Sequence, residues 1–138
     1  MNTKRLVVAW IVVYVVGNLL DFLIHGVIMR ATYESAALKP IWRPDMESKM
    51  WIMYVIGVIT WLLFVYIFVR GYENRGLAEG VRYGIIMGLF VGLPFAYGSY
   101  VMIPIPYSLA LQWFIYTFIE MIVAGVVVAA IYKPPLPR

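Results

Sequence analysis

Three polar residues, Asn18, Asp21 and His25, fall inside an apolar run that begins at Leu6 and ends near Met29. Their i, i+3, i+7 spacing puts them on one face of a helix. A second polar stripe, Gln112, Tyr116 and Glu120, recurs at i, i+4, i+8 in the last apolar run. Carboxylates beside a histidine can carry protons near neutral pH. They can also ligate hard or borderline divalent metals such as zinc, iron or manganese. Two chemistries are therefore open: proton or ion handling, and a metal centre of Asp21, His25 and Glu120 with a free coordination position. The plainer alternative is packing, with Asp21 and His25 bridging each other on one turn and Glu120 protonated or bonded to a tyrosine. Buried polar contacts of that kind hold membrane helices together at about 0.6–2 kcal/mol each. The pattern lacks the specificity of an H-E-x-x-H motif. One histidine gives no bis-histidine haem ligation within a single chain.

These residues need elements to hold them, and composition says which solvent those elements face. Of 138 residues, 64% are hydrophobic and 13% charged, against about 25% charged in a soluble domain. Lipid is the solvent that suits such a surface. The absence of cysteine excludes disulfides, thiolate metal sites, iron–sulfur clusters and cysteine nucleophiles. The net charge of +4 is scattered at the ends of apolar runs, which fits headgroups and topology and not nucleic acid. No Ser-His-Asp order, P-loop or dinucleotide fingerprint is present, and an enzyme is not the expected class. The opening MNTKR and its apolar run are too long for a signal peptide and read as a first membrane helix.

Four apolar stretches, about 6–29, 50–69, 81–103 and 108–132, each match the roughly 20 residues of a spanning helix. None shows the alternation of a barrel strand. The expected fold is an all-α integral membrane protein of one domain, four transmembrane helices in an antiparallel bundle. Lys4, Arg5, Arg70, Arg75, Arg82, Lys133 and Arg138 outnumber Arg30, Lys39, Arg43 and Lys49 of the 30–49 loop. Both termini are therefore expected on the cytoplasmic side, with that loop outside. The expected location is a bacterial or archaeal inner (cell) membrane. Trp10, Trp42, Trp51, Trp113, Tyr72, Tyr107 and Tyr132 fall near span ends, as an interfacial belt would, whereas Trp61 is mid-span and packs between helices. The KPPLPR end is read as a frayed tail.

The third span carries Gly80, Gly84, Gly88 and Gly92 on one stripe, a ridge that lets two helix backbones approach closely. Its partner is a helix of this chain or of a second copy. Pro94 is expected to bend or loosen the outer half of that span. At 1.5 Å per residue, Asp21 lies about 6 Å and His25 about 12 Å outward of the middle of the first span. Tyr116 and Gln112 then match them in height on the fourth span, and the two stripes could face each other across an outward-opening pocket. Thr60, Tyr97, Ser99 and Tyr100 could line it. Glu79 and Arg82 at i, i+3 read as a surface ion pair, and the ENR turn at 73–75 as solvated. Trp51-x-x-Tyr54 and Trp113-x-x-Tyr116 hint faintly at an internal duplication.

The leading functional expectation is a small membrane protein that handles a proton, ion or small solute at Asp21, His25 and Glu120, supported by Asn18, Gln112 and Tyr116. A homo-oligomer suits transport, since four helices leave little room for a wide pathway. The rivals are an accessory subunit of a larger membrane complex, docking through the glycine ridge and the 30–49 loop, and a metal enzyme at the same pocket.

Overall fold

The computed structural model describes residues 2–133; the proline-rich end from Pro134 onward lies outside the described residues. Every regular element within that range is helical. Helix α1 (Thr3–Asp21) starts where the Asn2 side chain accepts the Arg5 N–H at 3.1 Å, satisfying one of the first-turn donors. It runs on as a π-helical segment, Phe22–Ile28, in which Met29 N–H reaches back five residues to the Ile24 carbonyl at 2.8 Å. A short helix α2 (Arg30–Tyr33) and two 3₁₀ turns, Lys39–Ile41 and Glu47–Lys49, make up the following loop. Helices α3 (Trp51–Arg70), α4 (Leu77–Met102) and α5 (Tyr107–Ile131) complete the chain. Four helical stretches are long and apolar enough to cross a membrane: Thr3–Ile28, Glu47–Arg70, Leu77–Met102 and Tyr107–Ile131.

Helices α4 and α5 are the most intimate pair, with α5 also against α1 and α1 against α3. The glycine stripe explains the first of these contacts. A Cβ on Gly84 would sit 2.5 Å from Ile122 Cα and from the Met121 carbonyl oxygen. One on Gly88 would sit 2.8 Å from the Phe118 ring, and Gly80 meets Gly125 backbone to backbone. The ridge thus lies on a helix of the same chain. Pro94 does not interrupt its helix: α4 stays α-helical through that position to Met102.

Two apolar clusters divide the molecule. One, toward the 71–76 turn, joins Ala9, Val13, Phe64, Val65, Phe68, Ala124 and Val128. Trp61 belongs to it, its indole pressed on Gly17. The other, toward the 29–50 loop, joins Ile24, Met29 and Leu38 to Ala96, Leu109, Ala110 and Trp113. The loop is therefore folded back onto the bundle. On the loop side of Trp61, α3 is largely uncovered: from Trp51 to Thr60 every residue but Gly57 is exposed, and α1 touches this stretch through Tyr14 at Gly57 and Trp10 at Val58.

Several aromatics read as an interfacial belt turn inward instead. Trp113 is buried, Tyr132 is buried and accepts the Asn2 N–H at 3.2 Å, and Trp10 donates to the Val58 carbonyl at 3.1 Å. A tryptophan or tyrosine near a span end has a polar tip that a neighbouring helix can satisfy as well as a headgroup can. Trp51 and Tyr107 do face outward.

Candidate functional site

The site begins where α1 changes its winding. An α-helix would carry the Asn18–Asp21–His25 stripe straight outward, but the wider π turns from Phe22 re-aim whatever follows Asp21. Asn18 is spent on its own helix, its amide donating to the Tyr14 carbonyl at 2.7 Å. Asp21 is 53% exposed and His25 38% exposed at the side chain, with Nε2 3.9 Å from the Asp21 carboxylate. That separation suits an electrostatic pair and exceeds a hydrogen bond.

The other imidazole nitrogen has a closer partner. His25 Nδ1 and the Tyr33 hydroxyl are 2.6 Å apart, and the two rings are stacked at 5.9 Å between centroids. Trp113 Nε1 donates to the same hydroxyl at 2.7 Å. Met29 sulfur lies 3.5 Å away on a further side. The Tyr33 carbonyl in turn accepts the Trp42 indole N–H at 3.0 Å. Trp42 packs edge-on to Tyr33 and tilted against Trp113. Burial pushes the Tyr33 phenol up to about 12, the Trp113 hydrogen bond opposing it. Tyr33 therefore keeps its proton at neutral pH and serves as both donor and acceptor.

Tyr33 is what joins α1 to α5 at this height. Tyr116 and Gln112 are half-buried, and Tyr116, like Tyr33, packs against the loop-side cluster. Nothing in the spacing of Tyr33 marks it, because its meeting with His25 depends on the π turns before Met29 and on helix α2 following directly after it. One signal was available: a tryptophan at the position of Trp113, if buried, requires an acceptor for its N–H.

Glu120 sits deeper, on α5. It is buried, 6% exposed, and its Oε1 has no hydrogen-bond partner. Its helix, α5, packs against the α1 helix that carries Asp21. Among the described residues no three His, Asp or Glu side chains are grouped to hold a metal ion. Of the suggested lining residues, Thr60 is exposed, and Ser99 turns onto its own helix, donating to the Phe95 carbonyl at 2.6 Å. Tyr97 and Tyr100 cluster with Tyr107.

Below Glu120 the bundle is closed. From Glu120 to Tyr132 is about 18 Å along α5, and that length packs Ala124, Val128 and Ala129 against Val13 and Val65, all essentially inaccessible. The turn beyond is stitched differently from the expected ion pair. Glu79 is buried and accepts the N–H groups of Glu73 at 2.6 Å and Arg75 at 2.8 Å. Arg82 bonds Glu73 instead, at 2.8 Å, and Arg75 pairs with the same carboxylate. The reason is a tight turn through Asn74 and Gly76, both at positive φ, which leaves two N–H groups for Glu79 to cap.

Compared with known protein families, curated proteins and solved structures, the chain matches none.

Proposed function

We propose that this multi-pass membrane protein handles protons at a one-sided intramembrane site, Asp21 being the accessible acid and Glu120 the buried one. The observation that carries this reading is the Glu120 carboxyl oxygen, buried without a partner on a helix that packs against the one carrying the half-exposed Asp21. Ionisable groups at membrane depth are costly and normally serve an ion or proton path. A packing role is disfavoured by the same oxygen, since a structural carboxyl satisfies its lone pairs.

The topology that suits this reading is an antiparallel bundle with both termini cytoplasmic. The Asn2–Tyr132 hydrogen bond puts the ends of the first and last spans together, and the basic residues favour that side. The site then opens outward. Because the core inward of Glu120 is packed shut, passage across the membrane requires that half to open in each cycle. Turnover is accordingly slow and carrier-like.

Proteoliposomes containing a pH dye, with a valinomycin-set potassium diffusion potential, test this directly. Wild type should move protons, and Glu120→Gln and Asp21→Asn should each lose at least about tenfold, the scale of a lost proton-transfer group. Equal rates in wild type, both variants and empty vesicles would end the proposal. The reading as an accessory subunit draws on the exposed half of α3, from Trp51 to Thr60; co-purification of a larger membrane subunit on that face would favour it.

A further inference from the structure

The hydrogen-bond directions around Tyr33 can be worked out from donor counts alone. An indole N–H only donates, so the Tyr33 oxygen accepts from Trp113 at 2.7 Å. The phenolic proton then has two acceptors in reach, His25 Nδ1 at 2.6 Å and Met29 sulfur at 3.5 Å. An imidazole nitrogen is a far better acceptor than a thioether, and 2.6 Å is a short, strong contact for an O–H donor. The proton goes to Nδ1. A neutral imidazole has one N–H, so it is on Nε2, the nitrogen that faces Asp21 across 3.9 Å. The opposite tautomer would set a ring lone pair against the Asp21 carboxylate and leave the Tyr33 proton to sulfur. Both changes are unfavourable.

We infer that Tyr33 is a positioning residue that fixes the tautomer of His25, making the histidine a neutral hydrogen-bond donor aimed at Asp21 and not a proton carrier. The inference rests on the reading of Asp21 as a proton-handling acid. The direction is continuous: Trp113 donates to Tyr33, Tyr33 to His25, and His25 presents its N–H to Asp21. The ring's one lone pair is engaged by the Tyr33 proton, so His25 takes up a proton only if that hydrogen bond reverses. A proton reaching Asp21 therefore passes on toward Glu120 without residing on His25. Asp21 from α1 and Tyr33 from α2 are the titratable groups that contact the ring, and the uncharged Trp42 and Trp113 meet Tyr33. Tyr33 is held for this task by three further contacts: its stacking on His25, the Trp42 edge, and the Trp42 N–H on its carbonyl.

The chain has one histidine, so nitrogen-15 NMR of histidine-labelled protein in lipid nanodiscs reports on His25 alone. At neutral pH the wild type should show Nε2 protonated, and Nδ1 unprotonated with the shift of a hydrogen-bond acceptor. Tyr33→Phe should move Nδ1 to the unbonded position. Should that variant fail to fold, Trp113→Phe keeps the Tyr33–His25 bond and should leave the tautomer in place. A proton on Nδ1 in the wild type, or a Tyr33→Phe spectrum identical to it, overturns the inference. Proton flux supplies the second arm. His25→Gln, whose amide also offers an acceptor and a donor, should keep most of the wild-type rate, while His25→Leu should lose at least about tenfold. Equal loss in both makes His25 the proton carrier and refutes the donor role. An absence of flux in every protein counts against the proton reading alone, and the NMR spectrum still decides the tautomer.

Discussion

The half of the bundle toward the 71–76 turn and the half toward the 29–50 loop are built from the same four spans but held in different ways. In the turn half, α4 and α5 touch backbone to backbone at Gly80 and Gly125, and Val13, Val65 and Val128 are fully buried. Its polar side chains bond mostly to main chain: the Tyr83 hydroxyl donates to the Phe64 carbonyl and Glu79 caps two N–H groups. In the loop half, polar side chains bond one another through Tyr33, Asp21 is half exposed, and α3 is exposed from Trp51 to Thr60 save Gly57. Helices in lipid gain little from hydrophobic association, so closeness must come from small residues, or cohesion from a few polar contacts worth about 0.6–2 kcal/mol each. Close backbone packing is costly to part, whereas a handful of hydrogen bonds can be exchanged. The turn half is thus the anchor, opened only at high cost, and the loop half is where side chains rearrange most readily.

That division can be broken by substitution, and the largest effect belongs to the glycine face. Gly84→Leu meets backbone at Ile122 and Met121 that cannot yield without parting the helices. It should destabilise by at least the upper end of the roughly 1–3 kcal/mol typical of overpacking. Thermal unfolding in detergent reads this, with Gly98→Ala as the control because a Cβ there meets nothing within 4 Å. Matching melting curves for the two variants would remove the anchor.

Next is Tyr33→Phe, which strands the Trp113 N–H and His25 Nδ1 at an expected cost of about 1–3 kcal/mol. Hydrogen exchange should quicken over residues 22–42 and leave the α4–α5 pair unchanged; loosening spread evenly over both halves would contradict the separation. Glu79→Gln, which keeps one acceptor of two, should cost about 1 kcal/mol and show as faster exchange confined to residues 71–76.

The smallest effect is at Glu73. The Arg82 hydrogen bond holds its carboxyl below the usual glutamate range. A depressed carboxyl contributes stability above the ordinary range and loses it as pH falls through the lowered value. An exposed pair contributes little, so Glu73→Gln should melt with the wild type at neutral pH, and any difference should vanish in acid. A difference that instead grew as pH fell would reverse the sign argued for this ion pair.

How far the site was legible in the chain follows from which contacts are local. Asp21, His25 and Glu120 stand out because ionisable residues in apolar runs are conspicuous by type alone. Helical rise sets Tyr116 level with Asp21 and Gln112 with His25, a property of regular winding that says nothing of which faces meet. The route through Tyr33 was not legible. It depends on the π turns after Asp21 and on the short helix that follows Met29, and neither Phe22 nor Gly26 announces a change of winding. Glu79 and Arg82 show the same limit on a smaller scale. Their i, i+3 spacing suggests each other, but the turn through Asn74 and Gly76 offers Glu79 better partners and leaves Glu73 for Arg82.

The sequence by itself determined that the chain has four helices able to span a membrane, because hydrocarbon thickness and the need to satisfy every backbone group leave little choice for apolar runs of this length. It also determined where helices could approach most closely, since only glycine admits a neighbouring backbone. Which helix met the glycine face, which way α1 turned after Asp21, and which residue bound the histidine were decided by tertiary structure alone. Those outcomes turn on contacts between residues up to 80 positions apart, whose energies depend on distances of a few ångströms that no local pattern encodes.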